Sequence, residues 1–70
     1  MQIMVSFKLV RCGGHVYCVQ MFSGSVFKVR REDAAVRWDT IVSDARSIDE
    51  ALKIVRTDAG SDEIAITHYQ

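Results

Sequence analysis

Hydrophobic positions recur at period two through residues 3–11, where Ile3, Val5, Phe7 and Leu9 alternate with Met4, Ser6, Lys8 and Val10. A period of two in a segment rich in β-branched and aromatic residues predicts a β-strand. Gly13-Gly14 follows, a pair that can take the positive φ values of a two-residue hairpin turn. Residues 15–22 then predict a second strand, Ser23-Gly24 a weaker turn, and residues 25–31 a third strand.

Register turns these strands into faces. A two-residue turn at Gly13-Gly14 pairs Cys12 with His15, Leu9 with Cys18, Phe7 with Gln20 and Val5 with Phe22. A two-residue turn at Ser23-Gly24 pairs Val29 with Cys18 and Phe27 with Gln20. One face then collects Ile3, Val5, Phe7, Leu9, Val16, Cys18, Phe22, Phe27 and Val29, the expected core side. A slip of one residue would flip a whole strand, so agreement between two turns supports a meander.

Residues 34–42 fit two patterns. Val36, Trp38 and Val42 alternate with Arg37 and Asp39 as in a strand, while Ala35, Trp38, Val42 and Ala45 also fit helical spacing. Register favours the strand. A turn centred on Glu32-Asp33 pairs Val36 with Val29 and Trp38 with Phe27, which extends the same core face; Glu-Asp is a poor type I′ pair, so a four-residue loop of the same parity is the alternative.

The clearest helix signal is Ser47-Ile48-Asp49-Glu50, an S-x-x-E capping box in which Ser47 accepts from the Glu50 N–H and Glu50 reaches back to the Ser47 N–H. Ile48, Ala51, Leu52, Val55 and Ala59 form one apolar stripe. Asp49 and Glu50 suit the start of the helix dipole, Arg56 its end, and Gly60 the left-handed residue beyond. Residues 63–69 alternate again and predict a last strand. The expectation is a single α+β domain over residues 1–70. It is an antiparallel four-stranded β-meander with one helix packed on one face and a C-terminal edge strand, in the order ββββαβ.

Composition adds bounds. Seventy residues, 49% hydrophobic, make one small domain with a thin core. No apolar run reaches the roughly 18 residues of a membrane span, so no membrane partner is expected. The start, Met1-Gln2-Ile3-Met4-Val5, lacks the basic leader of a signal peptide. Two cysteines fit reduced thiols better than a disulfide framework, and a cytoplasmic protein is expected.

Charge is uneven. No acid precedes Glu32, and residues 1–31 carry Lys8, Arg11, Lys28, Arg30 and Arg31. A formal net charge of zero therefore hides a basic first half and an acidic second half. By the expected pairings, the sheet face away from the helix gathers Lys8, Lys28, Arg30 and Arg37 for charge, with Tyr17 and Val19 as apolar anchors. These six are the expected binding residues. An acidic protein surface or protein complex, a nucleic acid and a second copy of the chain are the candidate partners. For nucleic acid, basic residues beside an aromatic ring suit phosphate and base contacts, although the pI near 6.7 is low for that class.

Catalytic chemistry is thinly represented. Cys12 and His15 face each other across the first turn, a pairing that can activate a thiol, but no third orienting group stands near them. C-x-x-H supplies two zinc ligands where a structural site takes four. Asp49/Glu50 and Asp62/Glu63 read as helix-start and loop charges. A non-enzymatic chain without a cofactor is expected.

From about Trp38 onward, a strand leads through Ser47-Ile48-Asp49-Glu50-Ala51-Leu52 into a helix, and a short strand over residues 63–69 follows. In this the chain resembles small phage or mobile-element proteins, including anti-CRISPR proteins of compact sheet-plus-helix form. The resemblance covers about half the chain and carries over no functional residue. It implies a phage-encoded stoichiometric inhibitor of a host protein complex, working by occupying a surface in the host cytoplasm.

Overall fold

The computed structural model describes residues 3–33 and 38–69. The elements run β1 (Met4–Cys12), β2 (His15–Phe22), β3 (Val26–Asp33), β4 (Trp38–Ala45), α1 (Ile48–Ala59) and β5 (Ile64–Tyr69). They form one antiparallel sheet of order β4-β3-β2-β1-β5, with β5 joining the free edge of β1. This is the expected ββββαβ arrangement, and residues 38–45 are strand.

Both helix ends follow from the sequence. Ser47 is extended and its hydroxyl accepts from the Glu50 N–H at 3.1 Å. Glu50 reaches back to the Arg46 N–H at 3.4 Å, one residue before the expected position. Gly60 takes φ 67° and donates to the Arg56 carbonyl, which closes the last turn.

The first hairpin has the expected register, with Cys12 opposite His15, Leu9 opposite Cys18 and Phe7 opposite Gln20. Gly13 and Gly14 both have positive φ. Gly13 is also pinned by packing, because a Cβ there would lie 2.9 Å from the Ala59 carbonyl oxygen. Near the start of β1 the register shifts between Met4 and Ser6, so Met4, not Val5, lies opposite Phe22.

The second hairpin overturns the expected face. Phe22 pairs with Val26, which leaves three residues, Ser23-Gly24-Ser25, in the loop. Gly24 and Ser25 both take positive φ. The extra residue reverses the parity of β3, so Val29 pairs with Val19 and Arg30 with Cys18. Phe27 and Val29 therefore join Tyr17, Val19 and Val10, while Lys28 and Arg30 join Cys18, Gln20 and Leu9.

The helix covers the first of these sets. Among the described residues the buried apolar core is Val10, Cys12, Tyr17, Val19, Val29, Ala45, Ala51 and Val55. Phe27, Val42, Leu52 and Ile54 pack against it. Of the nine residues expected at the core, only Val29 is fully buried, and Phe27 is partly buried beside it. Ile3 and Val5 are exposed. Phe7, Leu9, Val16, Cys18 and Phe22 lie by strand alternation on the helix-free face.

Strand β4 is also displaced from the expected register. Ala45 lies opposite Phe27 and Trp38 opposite Asp33, with an irregularity between Val29 and Arg30. The expected pairing of Trp38 with Phe27 does not form, because Glu32 and Asp33 belong to β3, where they lie opposite Asp39 and Trp38, and are not a turn. The expected Val36–Val29 pair falls outside the described residues.

Candidate interaction surface

The sheet has two unlike sides. On the covered side, Tyr17 stands on the central strand beneath the C-terminal half of α1. Its hydroxyl donates to Asp58 Oδ2 at 2.7 Å, and Arg31 Nη1 bonds the same oxygen at 2.8 Å. Burial, then the bond to Asp58, pushes the Tyr17 hydroxyl up to about 12. The Tyr17 bond, then Arg31, holds the Asp58 carboxyl below its ordinary range. The cluster ties α1 to β2 and β3, and it leaves Tyr17 no exposed surface.

The helix-free side collects Phe7, Leu9 and Arg11 from β1, Val16, Cys18, Gln20 and Phe22 from β2, and Val26, Lys28, Arg30 and Glu32 from β3. Asp44 of β4 is the cross-strand neighbour of Lys28. Two cations are held down on the face. Lys28 Nζ sits 5.5 Å from the Phe22 ring centroid, and Arg30 Nε donates to Gln20 Oε1 at 3.0 Å.

The six expected binding residues do not share one surface. Lys28 and Arg30 are on the helix-free face. Tyr17 and Val19 are buried under the helix and are not surface anchors. Lys8 is on the covered side too, lining a cleft at the start of α1 with Val19, Met21, Phe27 and Ile48. Arg37 lies outside the described residues. The one-residue parity change at Ser23–Ser25 separates Lys8, Tyr17 and Val19 from Lys28 and Arg30. It also brings Phe7, Leu9, Val16 and Phe22 onto the free face. A sequence signal existed, because a serine-flanked Gly24 suits a three-residue loop as well as a two-residue one.

Cys12 and His15 are paired as expected. The Cys12 thiol is buried and donates to the Ser61 carbonyl at 3.2 Å, whereas the exposed His15 packs edge-on to Tyr17 at 6.2 Å between ring centroids. The thiol is thus engaged with backbone, away from solvent. Among the described residues no group of three or more His, Cys, Asp or Glu side chains is placed to hold a metal ion, and no helix is long and apolar enough to cross a membrane.

Neither a family model, nor a curated protein, nor a solved structure matches the chain.

Proposed function

We propose that the chain is a non-enzymatic binding protein whose contact surface is the helix-free sheet face. One observation carries this reading. The largest apolar side chains of β1 and β2 after Tyr17, namely Phe7, Leu9 and Phe22, stand with Val16 on the side that no helix covers. A sheet face that only meets water is ordinarily polar, and a contiguous apolar patch marks a contact site. Lys28, Arg30 and Arg11 give the patch a polar fringe, the usual anatomy of a protein interface. The role in keeping with this is stoichiometric binding through that face, without catalysis.

A site-specific photocrosslinker tests the surface. Benzoylphenylalanine at position 16 should form adducts in cells that produce the chain, whereas the same group at exposed position 56 on α1 should not. Adducts from position 56 alone would overturn the assignment.

A second reading has its own support. Phe7 and Phe22 beside Lys28 and Arg30 resemble the stacking and phosphate contacts of single-strand RNA binders. Asp44 opposite Lys28 and Glu32 beyond Arg30 oppose it. Under this reading the position-16 adduct is destroyed by nuclease, and oligonucleotide binding weakens steeply with salt.

A further inference from the structure

We infer that the partner on the helix-free face is a second copy of this chain, giving a two-fold dimer in which two sheets pack face to face. The inference rests on the proposed contact surface and names its occupant. Three observations lead there.

The first is charge. By register the face carries Arg11, Lys28 and Arg30 against Glu32, Asp39 and Asp44. It is close to neutral, so it lacks the positive excess that a nucleic acid or a strongly acidic partner would select. A near-neutral face can meet itself without a large repulsive cost.

The second is area. Five strands about 4.8 Å apart, each of about eight residues at ~3.3 Å per residue, make a footprint of about 500–600 Å². Two such faces bury about 1,000–1,200 Å² in total, at the lower limit of a standard-size interface. The buried core of the single chain is small, and a shared core is one way such a domain gains stability.

The third is self-complementarity. The strand order puts β2 at the centre of the sheet, with β1 and β3 on either side. A two-fold axis lying between the sheets and parallel to β2 sets β1 of each copy over β3 of the other. Register fixes which residues share a level. Phe7, Gln20 and Lys28 form one row, and Leu9, Cys18 and Arg30 the next. Arg11 lies opposite Val16, and Glu32 follows Arg31, the partner of Tyr17, so Arg11 and Glu32 share the third row. In the dimer Phe7 of either copy meets Lys28 of the other, Leu9 meets the aliphatic stem of Arg30, and Arg11 meets Glu32. The first contact repeats between chains the Lys28–Phe22 contact already present within one. An axis running across the strands at the level of Cys18 would instead set Arg30 of one copy on Arg30 of the other, which like charge disfavours.

Sedimentation equilibrium on the full chain is the primary test. The expected result is a species of twice the 7.9 kDa chain mass at tens of micromolar. A monomer at that concentration overturns the inference. Leu9→Glu should give a folded monomer, with circular dichroism matching wild type, because Leu9 is outside the helix-covered core. Ile66→Glu, on the covered side of β5, should remain dimeric. A dimer that survives Leu9→Glu overturns the face-to-face arrangement. A charge swap then reads the geometry. Arg11→Glu and Glu32→Arg should each weaken the homodimer, by about tenfold. An equimolar mixture of the two variants should form the heterodimer, where both pairs are again opposite in sign, and recovery no better than either variant alone overturns the axis assigned here. If the chain is monomeric yet position 16 still captures another macromolecule, the second copy is excluded and the contact surface stands.

Discussion

The two faces of the sheet are made from the same strands, but β3 makes them unlike. On β1 and β2 both sides are apolar: Val10, Tyr17 and Val19 on one, Phe7, Leu9 and Val16 on the other. On β3 the sides differ sharply, with Phe27 and Val29 against Lys28 and Arg30. The helix lies nearest β3 and β4, and it covers the side where β3 offers apolar groups. Covering the other side would put two cations under the helix, at a cost of several kcal/mol for each unpaired buried charge. Strand β3 therefore chooses the face, and the turn before it decides which side of β1 and β2 goes with that choice.

Deleting Ser25 attacks this comparison most directly. A two-residue turn would restore the parity that places Lys28 and Arg30 beside Tyr17 and Val19. The expected loss is about 4 kcal/mol or more, enough to abolish the cooperative urea transition. A deletion variant with the wild-type midpoint would show that the turn does not set the register.

Neighbouring residues on opposite faces sharpen it. Val19→Ala opens a gap under the helix and should cost about 2.5 kcal/mol. Cys18→Ala, one residue away on the free face, should cost about 0.5 kcal/mol in the dilute chain. Equal losses in parallel urea titrations would erase the distinction between the sides.

The two turns can be compared in the same way. Gly13 has positive φ and faces the Ala59 carbonyl, so Gly13→Ala should cost about 2 kcal/mol. Gly24 has positive φ with open space around it, and Gly24→Ala should cost only about 1 kcal/mol. Thermal unfolding of both variants checks the order.

The last comparison concerns the link between α1 and the covered face. Tyr17→Phe removes the bond to Asp58 and should cost about 1.5 kcal/mol. The pair also sets pH limits. The Tyr17 hydroxyl titrates higher when folded, so its contribution is full below its ordinary value of 10 and lost as pH rises through about 12. Asp58 titrates lower when folded, so its contribution is full above 3.8 and lost as pH falls through its folded value. Urea midpoints across pH should show Tyr17→Phe flattening the alkaline loss and Asp58→Asn reducing the acid loss. An alkaline loss unchanged by Tyr17→Phe would assign it elsewhere.

Much of the fold was legible because its signals are local. Gly13-Gly14 specifies the first hairpin, and Ser47 and Gly60 bound a helix whose buried stripe runs through Ala51 and Val55. The candidate surface was legible only in part. Lys28 and Arg30 stand where a contact face needs them, but Lys8, Tyr17 and Val19 fall on the opposite side. Tyr17 illustrates the difficulty. Its hydroxyl is satisfied by Asp58, 41 residues away, a partner that strand periodicity does not reveal.

What the sequence determined by itself was the order ββββαβ, the first turn, the helix limits and the amphipathic alternation of β3. Each depends on residues close together in the chain, where backbone preference and short-range hydrogen bonds decide. What only the tertiary structure decided was which sheet face is core. That choice turns on one residue: Ser25 at φ 60°, a left-handed conformation that serine seldom adopts and that its sequence neighbours permit without requiring. The three-residue loop flips β3, and the helix then settles over Phe27 and Val29. Phe7, Leu9 and Phe22 remain on the other side because β1 and β2 are apolar on both faces, and one short helix covers only one of them.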